Sequence, residues 1–170
     1  MGHFDTSSLE DGLRRILKTI LTNDPNSFGI QLGAFDGLGF DETQPILKEL
    51  QFPFLFVEPI SYYFKIMKNN LSYHPNNKFD NCAVSNEDGM GQMGKFNPAS
   101  YYENQPMSQR FCLTGMSSLL PMKNHPWESP TEVDIVRTKS LESLLDDNEV
   151  TSFNVFHVTL KVMTMWYFNS

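Results

Sequence analysis

The residues best suited to chemistry lie at two turns, each of which follows a short apolar run. The first turn holds two glycines, an alanine and an acid, namely Gly33, Gly37, Ala34 and Asp36. A glycine-rich turn lets the backbone approach a ligand closely, and an acid on the next strand can accept hydrogen bonds from the hydroxyls of an adenosine ribose. Glu58 is such an acid, and it lies 21 positions after Gly37. Because the expected spacing is roughly 20 positions, the pattern predicts a nucleotide-binding β-α-β unit.

Apolar runs and helical periodicity predict the elements that position these turns. Helices are predicted over residues 8–20, 43–50, 61–71 and 140–147, and strands over 28–32, 54–57, 79–85, 133–138 and 153–158. Residues 54–57 are wholly apolar, as expected for a parallel strand that is covered on both faces. Residues 89–127 show little periodicity and are predicted to form a short hairpin followed by a long loop, a feature that is often functional.

Five segments match the motifs of one protein family in the family's order. They are Q-L-G-A-F-D-G at 31–37, V-E-P at 57–59, N-C-A-V-S at 81–85, S-S-L at 117–119 and V-R-T-K-S-L-E-S-L-L at 136–145. They resemble the Q-x-G-A-x-D-G, V-E-P, N-x-A-[IV]-S, S-S-L and V-x-T-L-D-S-L-L segments of the FkbM-type family of S-adenosylmethionine-dependent methyltransferases. The resemblance covers roughly residues 28–158, which is most of the chain.

The resemblance implies a class I methyltransferase fold, a Rossmann-like, doubly wound α/β domain with a mostly parallel sheet. It implies S-adenosyl-L-methionine as the cofactor, with its methionine end held by Gly33, Ala34, Asp36 and Gly37. Glu58 would bind the ribose, and Cys82 and Ala83 would line the place of the adenine ring. The alternative interpretations are an ordinary strand-to-helix turn for the glycines and Asp36, a solvated acid for Glu58, and a packed strand for Cys82 and Ala83.

The activity implied by the resemblance is methyl transfer to a hydroxyl oxygen of a sugar or another small metabolite. His125 is the candidate general base, because histidine titrates near neutral pH, and Trp127 could stack on a sugar face. Surface structure is the competing interpretation for both residues. Arg137 and Lys139 flank a strand end, where we expect solvated charges; contact with an anionic acceptor is the alternative.

Composition limits the other classes of partner. The chain has 170 residues, enough for one domain, and a net charge of −7, which argues against a nucleic-acid binder with its basic stripe. There is no apolar run of about 18 residues or more, so no membrane span is expected, and the N-terminus does not read as a secretory signal. The two cysteines are expected to be reduced thiols in a cytoplasmic protein. The sequence leaves the oligomeric state open.

The C-terminal tail departs from the family pattern. We divide the chain into a lead-in with a helix at 1–27, a partial methyltransferase domain at 28–158 and an aberrant tail at 159–170. After residues 153–158 the family continues with D-T-E-G-Y-D, whereas this chain reads T-L-K-V-M-T. From Val158 onward, the codons available to each pair of neighbouring residues allow the family's residues to be encoded in a frame shifted by one base. The hypothesis is that a frame change near His157 or Val158 ended a longer enzyme, which would leave the domain truncated at its C-terminal side.

A truncated domain has a second functional interpretation, a non-catalytic remnant that still binds the cofactor. A binding domain for another adenosine ligand is a third, disfavoured because the glycines that cradle phosphates are absent. A sheet that has lost strands would expose edges and apolar faces. The tail residues 162–168, V-M-T-M-W-Y-F, are apolar and β-prone and would add an aggregation risk.

The frame hypothesis predicts the nucleotide sequence of the gene. Read from the third base of codon 158, the DNA is expected to spell D-T-E-G and to continue with strand and helix patterns. Sequencing from codon 150 to well past the stop codon checks this. Synonymous bases that forbid D-T-E-G would contradict the hypothesis and would favour the remnant.

Overall fold

The structure, a computed structural model, describes residues 7–38, 43–95, 118–119 and 132–158. The candidate base His125, its neighbour Trp127 and the tail at 159–170 lie outside these residues. The helices of the described part are α1 (Ser7–Asn23), α2 (Gln44–Leu50), α3 (Ser61–Asn70) and α4 (Leu141–Asp147). Its strands are β1 (Gly29–Leu32), β2 (Phe54–Val57), β3 (Lys78–Asp80), β4 (Ala83–Val84), β5 (Gly89–Lys95), β6 (Ser118–Leu119), β7 (Glu132–Lys139) and β8 (Val155–Val158).

The first sheet is parallel, with the strand order β3-β2-β1-β8. β1 lies inside it, and Ile30 is in register with Leu55 of β2 and with Phe156 of β8. Because the strands are parallel, the turns that follow β1, β2 and β3 meet at one edge of the sheet, which is where ligands bind in open α/β folds. The predicted α/β architecture with a mostly parallel sheet is therefore confirmed.

The side chains of β2 alternate between two cores. Phe54 and Phe56 pack with Leu17 of α1 in one buried cluster, whereas Leu55 and Val57 pack with Leu144 of α4 in another. Residues of α2 and α3 join the first cluster. Helices thus cover both faces of the sheet, which explains why the sequence of β2 is continuously apolar rather than alternating.

The second sheet corrects the prediction for residues 79–85. This segment was expected to be one strand, but it forms β3, which pairs with β2, and β4, which pairs with β7. Between them, the Asn81 side chain donates hydrogen bonds to the carbonyls of Glu58 and Pro59, at 2.7 and 2.9 Å. The amide therefore holds the chain against the end of β2 where the two strands separate. The second sheet has the order β4-β7-β5-β6, with β5 antiparallel to β7 and β6.

Polar residues mark the starts of α4 and β8, and both elements begin later in the chain than periodicity predicted. Ser140 precedes α4 as its N-cap, and its hydroxyl accepts the backbone N–H of Ser143 at 3.1 Å. Asn154 precedes β8; its backbone N–H donates to the carbonyl of Phe28 at 2.8 Å, and its side-chain oxygen accepts the N–H of Phe28 at 3.2 Å. Both residues were predicted inside the elements that they begin.

Gly29 is required by packing rather than by backbone conformation. A Cβ at this position would lie 2.3 Å from the ring of Phe54, and that ring is buried among Phe52, Phe56 and other core residues. The ring cannot move without disturbing its neighbours, since Phe54 lies 5.4 Å from Phe52 and 5.5 Å from Phe56, centroid to centroid. Gly12 of α1 offers the opposite case, because nothing lies within 4 Å of a Cβ added there.

Alanine at these two glycines is expected to change stability in opposite directions. Gly29→Ala should lower the free energy of unfolding by about 1–3 kcal/mol, because it overpacks the core against Phe54. Gly12→Ala should raise it by about 0.8–1 kcal/mol, because alanine is the better helix former and meets no neighbour. Urea unfolding followed by circular dichroism measures both. Equal effects of the two substitutions would contradict the packing account.

Candidate functional site

The turn after β1 is held against the end of β2 by backbone hydrogen bonds. The carbonyl of Val57 accepts the N–H groups of Gly33, at 2.9 Å, and of Ala34, at 3.1 Å. Gly33 and Gly37 have φ values of 75° and 77°, a region that glycine enters without steric cost. The predicted glycine turn therefore exists, and both of its glycines adopt a backbone conformation that favours glycine.

Packing also explains why residue 37 is a glycine. A Cβ there would lie 2.7 Å from the Leu71 side chain, which is buried at the end of α3. Asn70 donates its side-chain N–H to the carbonyl of Asp36 at 2.8 Å, and the Asp36 carboxylate accepts the N–H of Leu38 at 3.0 Å. The Asp36 side chain thus stabilises its own turn, and its contact with a cofactor ammonium stays a prediction.

Glu58 lies where the spacing predicted, beside the glycine turn. The residue is 5 % exposed, and its carboxylate accepts two backbone N–H groups, one from Phe35 and one from Ile60, each at 2.9 Å. Phe35 belongs to the glycine turn, and Ile60 is the N-cap of α3. Glu58 therefore joins the turn after β1 to the start of α3, and the interpretation of it as a solvated acid is wrong.

Phe35 is a residue of this site that the sequence did not reveal. Its φ is 53°, which is uncommon for a bulky side chain, and its ring packs on Tyr63 of α3 with a centroid distance of 4.2 Å. Strained conformations of this kind cluster at ligand sites. No pattern in the sequence points to a left-handed aromatic residue, because glycines are the residues expected to adopt positive φ and two of them flank this position.

Cys82 and Ala83 pack into different clusters. Cys82 is fully buried with Ile30 and Leu55, whereas Ala83, 5 % exposed, packs with Val136 of β7. Burial raises the pKa of the Cys82 thiol to about 12, and the nearby Asp80 carboxylate adds to this effect, so the thiol stays protonated at neutral pH. Their predicted place beside an adenine ring is not tested by this packing.

A buried charge cluster follows β3, at the same edge of the sheet. The Asp80 carboxylate is 6 % exposed and accepts hydrogen bonds from Lys139, at 2.7 Å, and Asn148, at 2.8 Å, and it pairs with Arg137. Lys139 also contacts the Asp147 carboxylate at 2.6 Å. Lys139 was expected to be solvated, but it is 5 % exposed, so that expectation is wrong; burial requires the pairing that the cluster provides.

The pKa values in this cluster follow from competition between burial and pairing. Burial disfavours the charged form of Asp80, but hydrogen bonds from Lys139 and Asn148 and the charges of Lys139 and Arg137 outweigh it, so its pKa lies below the usual range. Burial also disfavours charged Lys139, and bonds to Asp147 and Asp80 outweigh that effect and raise its pKa. Both groups are ionised at neutral pH.

Most backbone N–H groups in the described part of the glycine turn are used within the fold. A phosphate-binding loop presents backbone N–H groups to the ligand. Here the N–H groups of Gly33, Ala34, Phe35, Gly37 and Leu38 all donate to acceptors within the fold. The edge instead offers carboxylate oxygens, which suit hydroxyl or ammonium donors.

Three observations complete the description of the site. Among the residues that the structure describes, no cluster of His, Cys, Asp and Glu is suited to hold a metal ion. Within the same residues, no helix combines the length and apolar character needed to cross a membrane. Compared with known proteins, the chain matches no family model, and no curated protein or solved structure resembles it significantly.

Removing Lys139 is expected to destabilise the fold in a pH-dependent way. Lys139→Met should lower the free energy of unfolding by about 3–5 kcal/mol near pH 7, because it leaves a buried carboxylate with fewer cations. Asp80 has a depressed folded pKa, so its stabilisation is present above the unfolded value of about 3.9 and is lost as the pH falls through the folded value. The difference between wild type and Lys139→Met should therefore shrink below about pH 4, as urea unfolding between pH 3 and 7 would show.

The matched control is Asp147→Asn, which removes the exposed partner of Lys139. Asp147 is 60 % exposed, so the change in stability should stay within about 1 kcal/mol. A deficit of Lys139→Met that does not vary with pH would contradict the pairing with Asp80.

Proposed function

We propose that the protein binds S-adenosyl-L-methionine and transfers its methyl group to a hydroxyl oxygen of a sugar or another small metabolite. The observation that carries the proposal is the position of the Glu58 carboxylate, oriented by the N–H groups of Phe35 and Ile60 at the carboxyl edge of β1 and β2. A carboxylate can accept about four hydrogen bonds in all. The hydroxyls of a ribose are suitable donors.

The turn geometry favours this cofactor over a phosphorylated nucleotide. S-adenosylmethionine carries no phosphate, and its methionine end presents an ammonium group together with a carboxylate. Most described N–H groups of the turn are used within the fold, whereas Asp36 is partly exposed beside them. Asp36 and the turn from Gly33 to Gly37 would hold the methionine end, with Cys82 and Ala83 on the adenine side. The residues present fit the cofactor in the type of donor and acceptor that they supply.

Little covalent catalysis is required of the protein. When bound, S-adenosylmethionine supplies a methyl group on a sulfonium, which is already activated. The chain must align the acceptor hydroxyl with that methyl group and accept the hydroxyl proton. His125 is our candidate for the base. We assign the reaction to the cytoplasm, where a free, buried thiol such as Cys82 persists.

The rival proposal is a cofactor-binding module without turnover. It rests on the same site residues and differs only in lacking a productive acceptor site. A site for another adenosine ligand is the third possibility, and the occupied amides of the turn count against it when that ligand carries phosphates.

Calorimetric titration with S-adenosylhomocysteine tests the cofactor proposal. The wild-type protein is expected to bind, and Glu58→Gln should weaken binding about ten-fold or more, because hydrogen bonds to a charged acceptor contribute about 1.5–3 kcal/mol. Glu87→Gln, at an exposed turn, is the matched control and should bind like wild type. Circular dichroism and unfolding of each variant separate a loss of ligand contacts from a loss of fold.

Incubation with methyl-labelled S-adenosylmethionine, and titration with ADP and ATP, separate the alternatives. Transfer of labelled methyl to a pool of sugars and small hydroxylated metabolites indicates the enzyme, and binding without transfer indicates the module. Preferential binding of ADP or ATP would favour the third possibility. A folded protein with no affinity for S-adenosylhomocysteine would overturn the proposal.

A further inference from the structure

Asn81 uses both ends of its side-chain amide. Its N–H groups donate to the backbone carbonyls of Glu58 and Pro59, at 2.7 and 2.9 Å. Its carbonyl oxygen accepts the hydroxyl of Ser61, the first residue of α3, at 2.8 Å. The hydroxyl fixes which way round the amide lies, so both N–H groups are directed at the end of β2. Asn81 opens the segment N-C-A-V-S, but no ligand contact is predicted for it.

One peptide group connects Asn81 to the Glu58 carboxylate. The carbonyl of Pro59 and the N–H of Ile60 belong to the same planar peptide, in which C=O and N–H point in opposite directions. Because the carbonyl faces Asn81, the N–H faces away from it, and it donates to the Glu58 carboxylate at 2.9 Å. Rotation of this peptide would remove a backbone donor from the carboxylate, and the Asn81 amide opposes that rotation.

The backbone of Glu58 is held by the same segment of the chain. Its N–H donates to the Asp80 carbonyl at 3.1 Å, and its carbonyl accepts the side chain of Asn81. Two consecutive residues at the end of β3 therefore fix both backbone groups of Glu58. Glu58 is 5 % exposed and Ile60 is 2 % exposed, and polar groups at this depth depend on partners within the protein.

We propose that Asn81 is a positioning residue for ligand binding at Glu58. It acts through the 59–60 peptide, whose N–H it directs at the carboxylate, and so it sets the direction in which the carboxylate oxygens face a ligand. Groups that bind a ligand must be held within about 0.5 Å of the productive geometry by packing and supporting hydrogen bonds. The identity of the ligand rests on the proposed function, whereas the orientation of Glu58 does not.

Asn77 offers a matched control at the other end of β2. Its side chain accepts the N–H of Phe54, the first residue of β2, at 3.0 Å and donates to the Leu71 carbonyl at 2.6 Å. Like Asn81, it is partly buried and lies next to β3 in the chain. Because β2 and β3 are parallel, Asn77 lies at the opposite edge of the sheet from Glu58. Its substitution removes the same kind of contact without reaching the site.

Amide hydrogen exchange of the full chain, followed by NMR, tests the orientation without a ligand. The amides of Ile60 and Phe35 donate to the same carboxylate from two different elements, so the ratio of their exchange rates cancels a change in overall stability. Asn81→Ala should raise the exchange rate of Ile60 relative to Phe35 about ten-fold or more, because it frees the bond to a charged acceptor. Asn77→Ala should leave the ratio unchanged.

Calorimetric titration with S-adenosylhomocysteine measures the consequence for binding. Asn81→Ala should weaken binding about ten-fold, whereas Asn77→Ala should bind like wild type although it loses a similar amount of stability. Ser61→Ala is the second variant, because it keeps both donors of Asn81 and removes only the hydroxyl that orients the amide. It should give smaller changes in the same direction, and it tests the inference even where Asn81→Ala does not fold.

The two measurements keep this inference separate from the proposed function. A wild-type protein without affinity for S-adenosylhomocysteine would contradict the proposed function, and the exchange ratio would still decide the role of Asn81. An exchange ratio that stays at the wild-type value in Asn81→Ala and Ser61→Ala would overturn the inference. Equal losses of affinity in Asn77→Ala and Asn81→Ala would also overturn it, because they would show a contribution to stability alone.

Discussion

The requirement to neutralise one buried carboxylate connects the two sheets of this protein. Asp80 ends β3 of the first sheet, and its cations come from β7 of the second, as Arg137 and Lys139. Lys139 in turn contacts Asp147 of α4, so three elements converge on one charge. A buried ion tolerates little displacement of its partners, because desolvation is repaid only by good geometry. The relative position of the first sheet, the second sheet and α4 therefore depends on this cluster.

A second carboxylate at the same edge is stabilised differently. Glu58 accepts two neutral backbone donors, so these bonds orient its oxygens without cancelling the formal charge. The two sites are linked through the backbone, because the N–H of Glu58 donates to the Asp80 carbonyl at 3.1 Å. The charge that holds the sheets together and the charge proposed to bind a ligand are thus neighbours along one edge. Their different partners distinguish a carboxylate that is paired with cations within the fold from the carboxylate to which we assign a ligand.

Local patterns predicted the first sheet well, because its strands are short apolar runs and its glycine turn has a distinctive composition. The spacing from Gly37 to Glu58 correctly predicted that the turn and the acid lie together. The split of residues 79–85 was not predicted, since Asn81 acts through contacts with residues distant in sequence. The burial of Lys139 was not predicted for a similar reason. From the sequence alone, a lysine in a strand is expected to be exposed to solvent. Its pairing with Asp80 could not be predicted, because the two residues are 59 positions apart in the chain.

The electrostatics of the edge limit which ligands suit it. Around Asp80 the charges are balanced in pairs, with Arg137 and Lys139 opposite Asp80 and Asp147. Around the glycine turn the acceptors are the carboxylates of Glu58 and Asp36, and the amides that would attract a phosphate are occupied. A phosphate would meet two carboxylates at this turn, where the N–H groups of Gly33, Ala34, Phe35, Gly37 and Leu38 already have acceptors within the fold. Hydroxyl and ammonium groups would instead meet suitable acceptors. For the adenosine ligand that we propose, the same turn geometry therefore favours hydroxyl and ammonium groups over phosphates.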